Sequence, residues 1–351
     1  MKKRVLIGMS GGVDSSVATY ILKNQGYEVV GATMKLWLPE GVENTAIRDA
    51  KKMADKLGVE HHVIDLENSF KNTVVKHFID TYHEGKTPNP CVFCNKHIKF
   101  DLMFKVAEDL NCDYIATGHY AKIVKNEEEN RYELLKNDET HKDQSYMMYN
   151  LNQEKLAKIL FPIGEFSSKD EVRKIAKEIG LEVHDKPDSQ DICFIPDGDY
   201  EVFLKKYSNN ESKPGKFIDI SGNELGRHNG IVNYTIGQRK GLGIALGKRT
   251  YVVDINGKNN TVTLGSNDDL FRDRLIAKDV NFIDFDYKEL KSPLKVEAKI
   301  RYSSVPSPAT VTLLDDERIE VKFEQPQRAI TSGQSVVFYE GDRLLGGGVI
   351  I

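Results

Sequence analysis

Cysteine and tryptophan are scarce in this chain: its 351 residues include four Cys and one Trp. Four thiols cannot staple a chain of this length, so a disulfide framework is excluded, and the cysteines read as free thiols, redox groups or metal ligands in a reducing compartment. The 11 prolines and 27 glycines exclude collagen-like and proline-rich linker compositions. Long apolar runs are missing too. No window approaches the ~18 apolar residues of a membrane span. After Met1-Lys2-Lys3-Arg4 the apolar stretch lasts only from Val5 to Met9, too short for a secretory signal. A cytoplasmic protein with no membrane partner is the expectation. The chain also lacks an excess of positive charge: 49 Lys and Arg stand against 53 Asp and Glu, a net −4, which at first argues against nucleic acid. A local count reverses that, because residues 201–260 carry ten Lys or Arg against five Asp or Glu.

The first two-thirds alternates strand and helix patterns. Arg4 to Met9 is a short apolar strand ending in a glycine-rich turn, and Val17, Ala18, Ile21 and Leu22 share one helical face. Tyr27 to Leu36 reads as a strand, Ala46 to Leu57 as an amphipathic helix, His62 to Leu66 as a strand, and Tyr114 to Thr117 as another after two further helices. Repeated βα units predict a doubly wound parallel sheet with its site at the carboxyl ends of the strands. From about Gly215 the helical periodicity stops. Short β-rich runs follow, at Ile231–Ile236, Tyr251–Ile255, Thr261–Leu264, Thr310–Leu314 and Val336–Tyr339, predicting a small central β-rich domain and a carboxyl-terminal β-barrel. The expected boundaries are 1–200, 201–272 and 273–351.

Ser10-Gly11-Gly12-Val13-Asp14-Ser15-Ser16 lies between a strand and a helix. Its glycines let backbone amides turn toward an anion, its hydroxyls add donors, and a helix starting near Ser15 directs its positive end at the same point. A Walker A loop is absent, since no lysine sits at the helix start. The pattern resembles the pyrophosphate loop of ATP pyrophosphatases, with Asp14 as a helix cap or a magnesium-side ligand. A second cluster, Thr87-Pro88-Asn89-Pro90-Cys91-Val92-Phe93-Cys94-Asn95, joins two stiffening prolines to a Cys-x-x-Cys pair. Cys94 is expected near a helix amino terminus, where the dipole and Lys96 would favour its thiolate; two incidental buried cysteines are the plainer alternative. Cys193 is expected in a loop entering a strand, and Cys112 as core filler. Thr117-Gly118-His119-Tyr120 closes a strand where Gly118 would admit a nucleotide and His119 could bond a phosphate or base. Lys142-Asp143-Gln144-Ser145-Tyr146 is a polar pentad that could equally be a solvated turn.

Taken together, the loop at 8–16, the Pro-Asn-Pro and Cys94-Asn95-Lys96 segment, Ala116 to Tyr120, Lys142 to Tyr146, Ser189-Gln190-Asp191-Ile192-Cys193-Phe194, Gly237 to Gly243 and Arg301-Tyr302 resemble the bacterial tRNA-specific 2-thiouridylases in order along nearly the whole chain. The resemblance implies that ATP adenylates the C2 oxygen of the wobble uridine of Lys, Glu and Gln tRNAs, and that sulfur from a cysteine persulfide then displaces AMP. It implies ATP binding by Gly8, Met9, Ser10, Gly11, Gly12, Val13, Asp14 and Ser15, with Met34 and Gly118 beside the nucleotide. Cys193 resembles the persulfide-bearing cysteine, fed by a sulfur-relay protein or a cysteine desulfurase. Cys94 resembles the nucleophile that attacks the persulfide, leaving a disulfide. Asn89, Pro90 and Cys91 match the loop that meets the target base, and His119, Lys142, Asp143, Gln144, Arg301, Tyr302 and Gln334 match tRNA-contacting positions. Cys91 stands where many members have an aspartate. Cys91, Cys94 and Cys193 could therefore ligate a [4Fe-4S] cluster; the persulfide and disulfide route is the other possibility, and zinc fits three cysteines poorly. Another ATP pyrophosphatase synthetase, or an RNA-binding protein with an idle nucleotide loop, are the competing classes.

Overall fold

The computed structural model describes residues 2–137, 143–185, 192–208, 213–315 and 317–351. These form two compact units, one of Met1–Thr73, Cys91–Phe194 and Gly341–Leu345, the other of Val74–Pro90, Ile195–Glu340 and Gly346–Ile351.

The first unit is built on five parallel strands, Arg4–Gly8, Glu28–Lys35, Glu60–Asp65, Tyr114–Ala116 and Ile159–Leu160. The first strand lies in the middle, with Val5 opposite Val29 on one side and Tyr114 on the other. Connections run outward in both directions from it, so the sheet has a switch point between Arg4–Gly8 and Tyr114–Ala116, where doubly wound sheets bind ligands. Val5, Leu6 and Ile7 are fully buried, as a central strand covered on both faces requires. One face is covered by the helices Val13–Asn24, Thr45–Leu57 and Lys169–Glu178, which bury Val17, Ala18, Leu22, Ala50, Met53, Ala54, Val172 and Ala176 with Ile7. A hairpin, Lys122–Asn126 with Arg131–Leu135, was not foreseen from the sequence; it pairs Arg343 with Leu135.

The second unit carries two β structures. A four-stranded sheet of Gly215–Asp219, Glu224–His228, Tyr251–Asn256 and Thr261–Gly265 includes one parallel pairing, Val262 opposite Phe217. Ile231–Ile236, expected as a strand, contains instead a 3-10 turn at Ile231–Asn233. Ile231 and Tyr234, three positions apart, both enter the core around Phe217 and Val252, which the 3-10 turn permits and an alternating strand does not. The second structure is an antiparallel barrel of Phe271–Phe282, Ile319–Arg328, Ser307–Leu313, Leu294–Lys299, Ser335–Glu340 and the last strand, Arg343–Ile350, of which Gly346–Ile350 belongs to this unit. It closes where Phe271–Phe282 meets the last strand, Ala277 opposite Ile350 and Phe282 opposite Gly346. Among the described residues, closure pairs each of these six strands on both sides. Sheet and barrel share a small core of Val253, Leu270 and Ala329 with Ile236 and Tyr251.

Candidate active site

The loop after the first strand turns at Gly11, whose φ is +71°. A Cβ there would lie 2.7 Å from Asp49 Cβ and 2.8 Å from the Ala50 nitrogen, so only glycine permits both the turn and the close helix behind it. The helix Val13–Asn24 starts after Gly12, which has no side-chain cap. Asp14 is therefore not the helix cap proposed from the sequence; it lies in the first turn. Its two carboxylate oxygens are both engaged: Tyr120 Oη donates to Oδ1 at 2.8 Å, and Lys169 Nζ pairs with Oδ2 at 2.9 Å. Neither partner was singled out for this in the sequence, because both lie more than a hundred residues away. Ser15 Oγ accepts the Ser10 N–H at 3.2 Å and donates to the Gly12 carbonyl at 3.3 Å. Ser16 Oγ donates to that carbonyl at 2.8 Å.

Gly118 follows the strand across the switch point. A Cβ on it would stand 2.8 Å from both the Asp14 carbonyl carbon and the Ser15 nitrogen. The immediate demand for glycine is thus the packing of this loop on the anion cradle itself. Gly8 and Met9 end the first strand; Met9 is buried and its N–H bonds the Ala32 carbonyl at 2.8 Å. Met34 lies at the carboxyl end of the neighbouring strand, opposite Ile64.

His119 is buried against Phe100 and Phe161, with ring centroids 6.1 and 5.9 Å away, and its Nδ1 bonds Thr117 Oγ1 at 2.6 Å. Burial and the Lys99 charge hold its pKa well below the ordinary histidine range, so it is neutral at pH 7. Gln144 Oε1 accepts the Tyr120 N–H at 3.0 Å, which ties the polar pentad to the residue that clamps Asp14. Asp143 is buried and accepts from Asn137 N–H, Ser145 N–H and Ser145 Oγ at 3.3, 3.0 and 2.9 Å. The pentad is thus no solvated turn at Asp143, Ser145 and Tyr146. Lys142 and Ser189, Gln190 and Asp191 fall outside the described residues.

The thiols differ from expectation. The helix begins at Pro90, so Cys91 occupies its first turn and Cys94 lies a turn further in. Cys94 is 8% exposed, and burial pushes its pKa up to about 12, opposed by Lys99 rather than by Lys96. The expectation of a favoured thiolate at a helix amino terminus is therefore overturned: desolvation outweighs the nearby positive charge. Cys193 reaches solvent but is crowded enough that burial raises it to about 11, with Cys91 adding to the rise. Cys91, also reaching solvent, is raised by burial as well. The structure brings these three thiols within electrostatic reach of one another. Cys193 sits in a turn that leads to the helix Tyr200–Tyr207, and no strand follows it directly. Phe194 anchors that turn edge-on to Phe70, with centroids 5.7 Å apart. Cys112 is half-exposed with a weak bond to the Leu110 carbonyl at 3.8 Å, so it is not core filler.

In the second unit, Gln334 Nε2 donates to the Thr87 and Pro88 carbonyls at 3.1 and 3.0 Å and holds the loop that leads to Asn89 and Pro90. The Arg301 guanidinium donates to the Ala329 carbonyl and to Thr331 Oγ1, the latter at 2.8 Å. The Tyr302 ring carries Lys299 Nζ 5.9 Å above its centroid.

Among the described residues, no helix is long and apolar enough to cross a membrane. Among them too, no group of three His, Cys, Asp or Glu is arranged to hold a metal ion.

Residues 3–197 match a family model described as the tRNA methyl transferase HUP domain, 201–266 the tRNA methyl transferase PRC-barrel domain, and 272–350 the aminomethyltransferase beta-barrel domain. Over 358 residues the chain is 55% identical to the tRNA-specific 2-thiouridylase MnmA of Clostridioides difficile (strain 630), covering 100% of this chain and 98% of that protein. It is 54% identical to MnmA 2 of Clostridium tetani (strain Massachusetts / E88), covering 100% and 99%. It is 50% identical to MnmA of Clostridium perfringens (strain 13 / Type A), covering 99% and 98%.

Proposed function

Because this chain belongs to the family of tRNA-specific 2-thiouridylases, we propose that it forms 2-thiouridine at the wobble position of tRNA, with ATP as activating substrate. The observation that carries this is the presence in one folded unit of both an anion cradle, at Ser10–Ser15, and three mutually interacting thiols. Uridine C2 is a poor electrophile, and its oxygen is a poor leaving group. Attack of that oxygen on the α-phosphorus of ATP expels pyrophosphate and makes the oxygen part of a good leaving group. The cradle amides, Ser10 and Ser15 hold the phosphates, and Met34 and Gly118 lie beside the nucleotide. Asp14 fits a place near a magnesium ion carried by ATP, provided Lys169 and Tyr120 exchange partners when the nucleotide arrives.

Sulfur then displaces AMP from C2. In this reading Cys193 bears a persulfide delivered by a sulfur-relay protein or a cysteine desulfurase, and Cys94 is the thiol that releases its outer sulfur. Cys91 stays a spare thiol beside the target-base residues Asn89 and Pro90. His119, Lys142, Asp143, Gln144, Arg301, Tyr302 and Gln334 serve tRNA, in several cases by shaping loops. Residues 1–200 act as the catalytic domain, 201–272 as a basic RNA-facing domain, and 273–351 as a barrel domain. Contacts to phosphates by the basic segment would give salt-dependent tRNA affinity. A protein purified anaerobically that thiolates tRNA without iron supports the persulfide route, and activity that follows bound iron and sulfide supports a [4Fe-4S] cluster on Cys91, Cys94 and Cys193 instead. The principal test is release of AMP and pyrophosphate that depends on tRNA of the Lys, Glu or Gln type. Formation of ADP, or no turnover with any tRNA, overturns the proposal.

A further inference from the structure

The helix that carries Cys91 and Cys94 changes pitch directly after Cys94. Pro90–Cys94 is α-helical, Asn95–Phe100 is π-helical, and Asp101–Asp109 is α-helical again. At 3.6 residues per turn, a side chain five positions along points about 140° away. In a π-turn, whose hydrogen bonds run from i to i+5, it comes round over the first. The wide turn therefore brings Lys99 to the side of the helix that bears Cys94.

Lys99 is half-buried, and among the described residues its ammonium meets no carboxylate at ion-pair distance. Its charge opposes the effect of burial on Cys91, Cys94 and Cys193, and it also acts on His119. These four groups come from three elements: the helix itself, the turn at Cys193, and the loop after Tyr114–Ala116. His119 is neutral, so among these four groups the charge that Lys99 can meet is charge on sulfur. Lys96, three residues earlier, acts instead on His97.

We propose that Lys99 is a positioning residue for sulfur transfer, an ammonium that holds negative charge on sulfur while it moves between Cys193, Cys94 and the released sulfide. The proposal rests on the assignment of Cys193 and Cys94 given above. In the step it serves, the Cys94 thiolate attacks the Sγ of the Cys193 persulfide. The Cys94–Cys193 bond forms, the bond from Cys193 Sγ to the outer sulfur breaks, and its electron pair leaves on that sulfur as hydrosulfide. One negative charge is present throughout and only changes sulfur. A dithiol reductant then reduces the disulfide and is itself oxidised.

The test uses the full-length protein and two readouts: alkylation of Cys94 by iodoacetamide from pH 7 to 10, resolved by peptide mass spectrometry, and thiouridine formed per AMP released. Lys99→Met should slow Cys94 alkylation about tenfold at a given pH, the effect of a one-unit rise in thiol pKa, and should lower thiouridine per AMP by a similar factor. Lys99→Arg should keep most of both, and Lys96→Met should match the parent protein. Should Lys99→Met fail to fold, Lys99→Gln supplies the same comparison. Unchanged alkylation in the neutral variant, an equal loss in Lys96→Met, or an Arg variant as impaired as the Met variant would each overturn the role. If the parent protein releases no AMP with tRNA, the thiolation assignment fails by itself, and the alkylation series still decides on Lys99.

Discussion

The loop proposed as the nucleotide cradle and the cluster of three thiols belong to the same folded unit, but their properties arise in opposite ways. At the cradle, the backbone makes the site: Gly11 turns through φ +71°, and Gly118 packs where a Cβ would stand 2.8 Å from Asp14 and Ser15. Residue type there reports geometry directly. At the thiol pocket, the surroundings make the site. Cys94 sits on a helix as foreseen, yet burial takes its pKa up to about 12, the reverse of what the helix terminus and a nearby lysine suggest. Local sequence therefore predicts a backbone-built site well and a burial-tuned one badly, because desolvation depends on elements that pack from far along the chain.

The largest effect is that of Cys193→Ser, which should reduce tRNA thiolation to background while tRNA binding persists; lost binding in a gel-shift assay would reassign Cys193 to structure. Next, Gly118→Ala forces backbone apart at the cradle, where a displacement of about 1 Å can cost ~100-fold in rate. AMP release should fall by about that factor, and a variant with the parent rate would show that the cradle tolerates the methyl group. The thiol pocket gives a smaller, pH-dependent signature. With its pKa raised to about 12, Cys94 is almost wholly protonated at pH 8, and its alkylation rate should climb about tenfold per pH unit up to pH 10. A plateau near pH 9 would mean an ordinary thiol and would erase the contrast with the cradle. The smallest effect concerns Asp143→Ala, which removes the buried acceptor of the Asn137 N–H, Ser145 N–H and Ser145 Oγ bonds. It should cost about 1–3 kcal/mol of stability in urea unfolding, whereas an unchanged midpoint would return the pentad to a solvated turn.

Much of the first unit was legible because its strands and helices differ sharply in period. Arg4–Gly8, Val13–Asn24, Thr45–Leu57 and Tyr114–Ala116 lie within a few residues of the expected bounds. The run at Ile231 was misjudged because a short apolar stretch fits a strand and a 3-10 turn equally well. Only the burial of both Ile231 and Tyr234 around Phe217 separates them. The loop residues of the cradle were visible, but the ties on Asp14 were not. Tyr120 and Lys169 reach it from across the switch point and from the start of a later helix, a distance in sequence that no local pattern records. Lys99 was hidden for a different reason: at α-helical pitch it would face away from Cys94, and the π-turn that reverses this has no signature in composition.

The central claim is that the adenylate made at the cradle is consumed by sulfur from the thiol pocket. It is tested most directly by incubating the purified protein with tRNA, ATP and a persulfide donor, and counting AMP and modified nucleosides together. The account predicts one 2-thiouridine for each AMP released. AMP without thiolated uridine despite an ample sulfur supply, or a methylated uridine in its place, would contradict it.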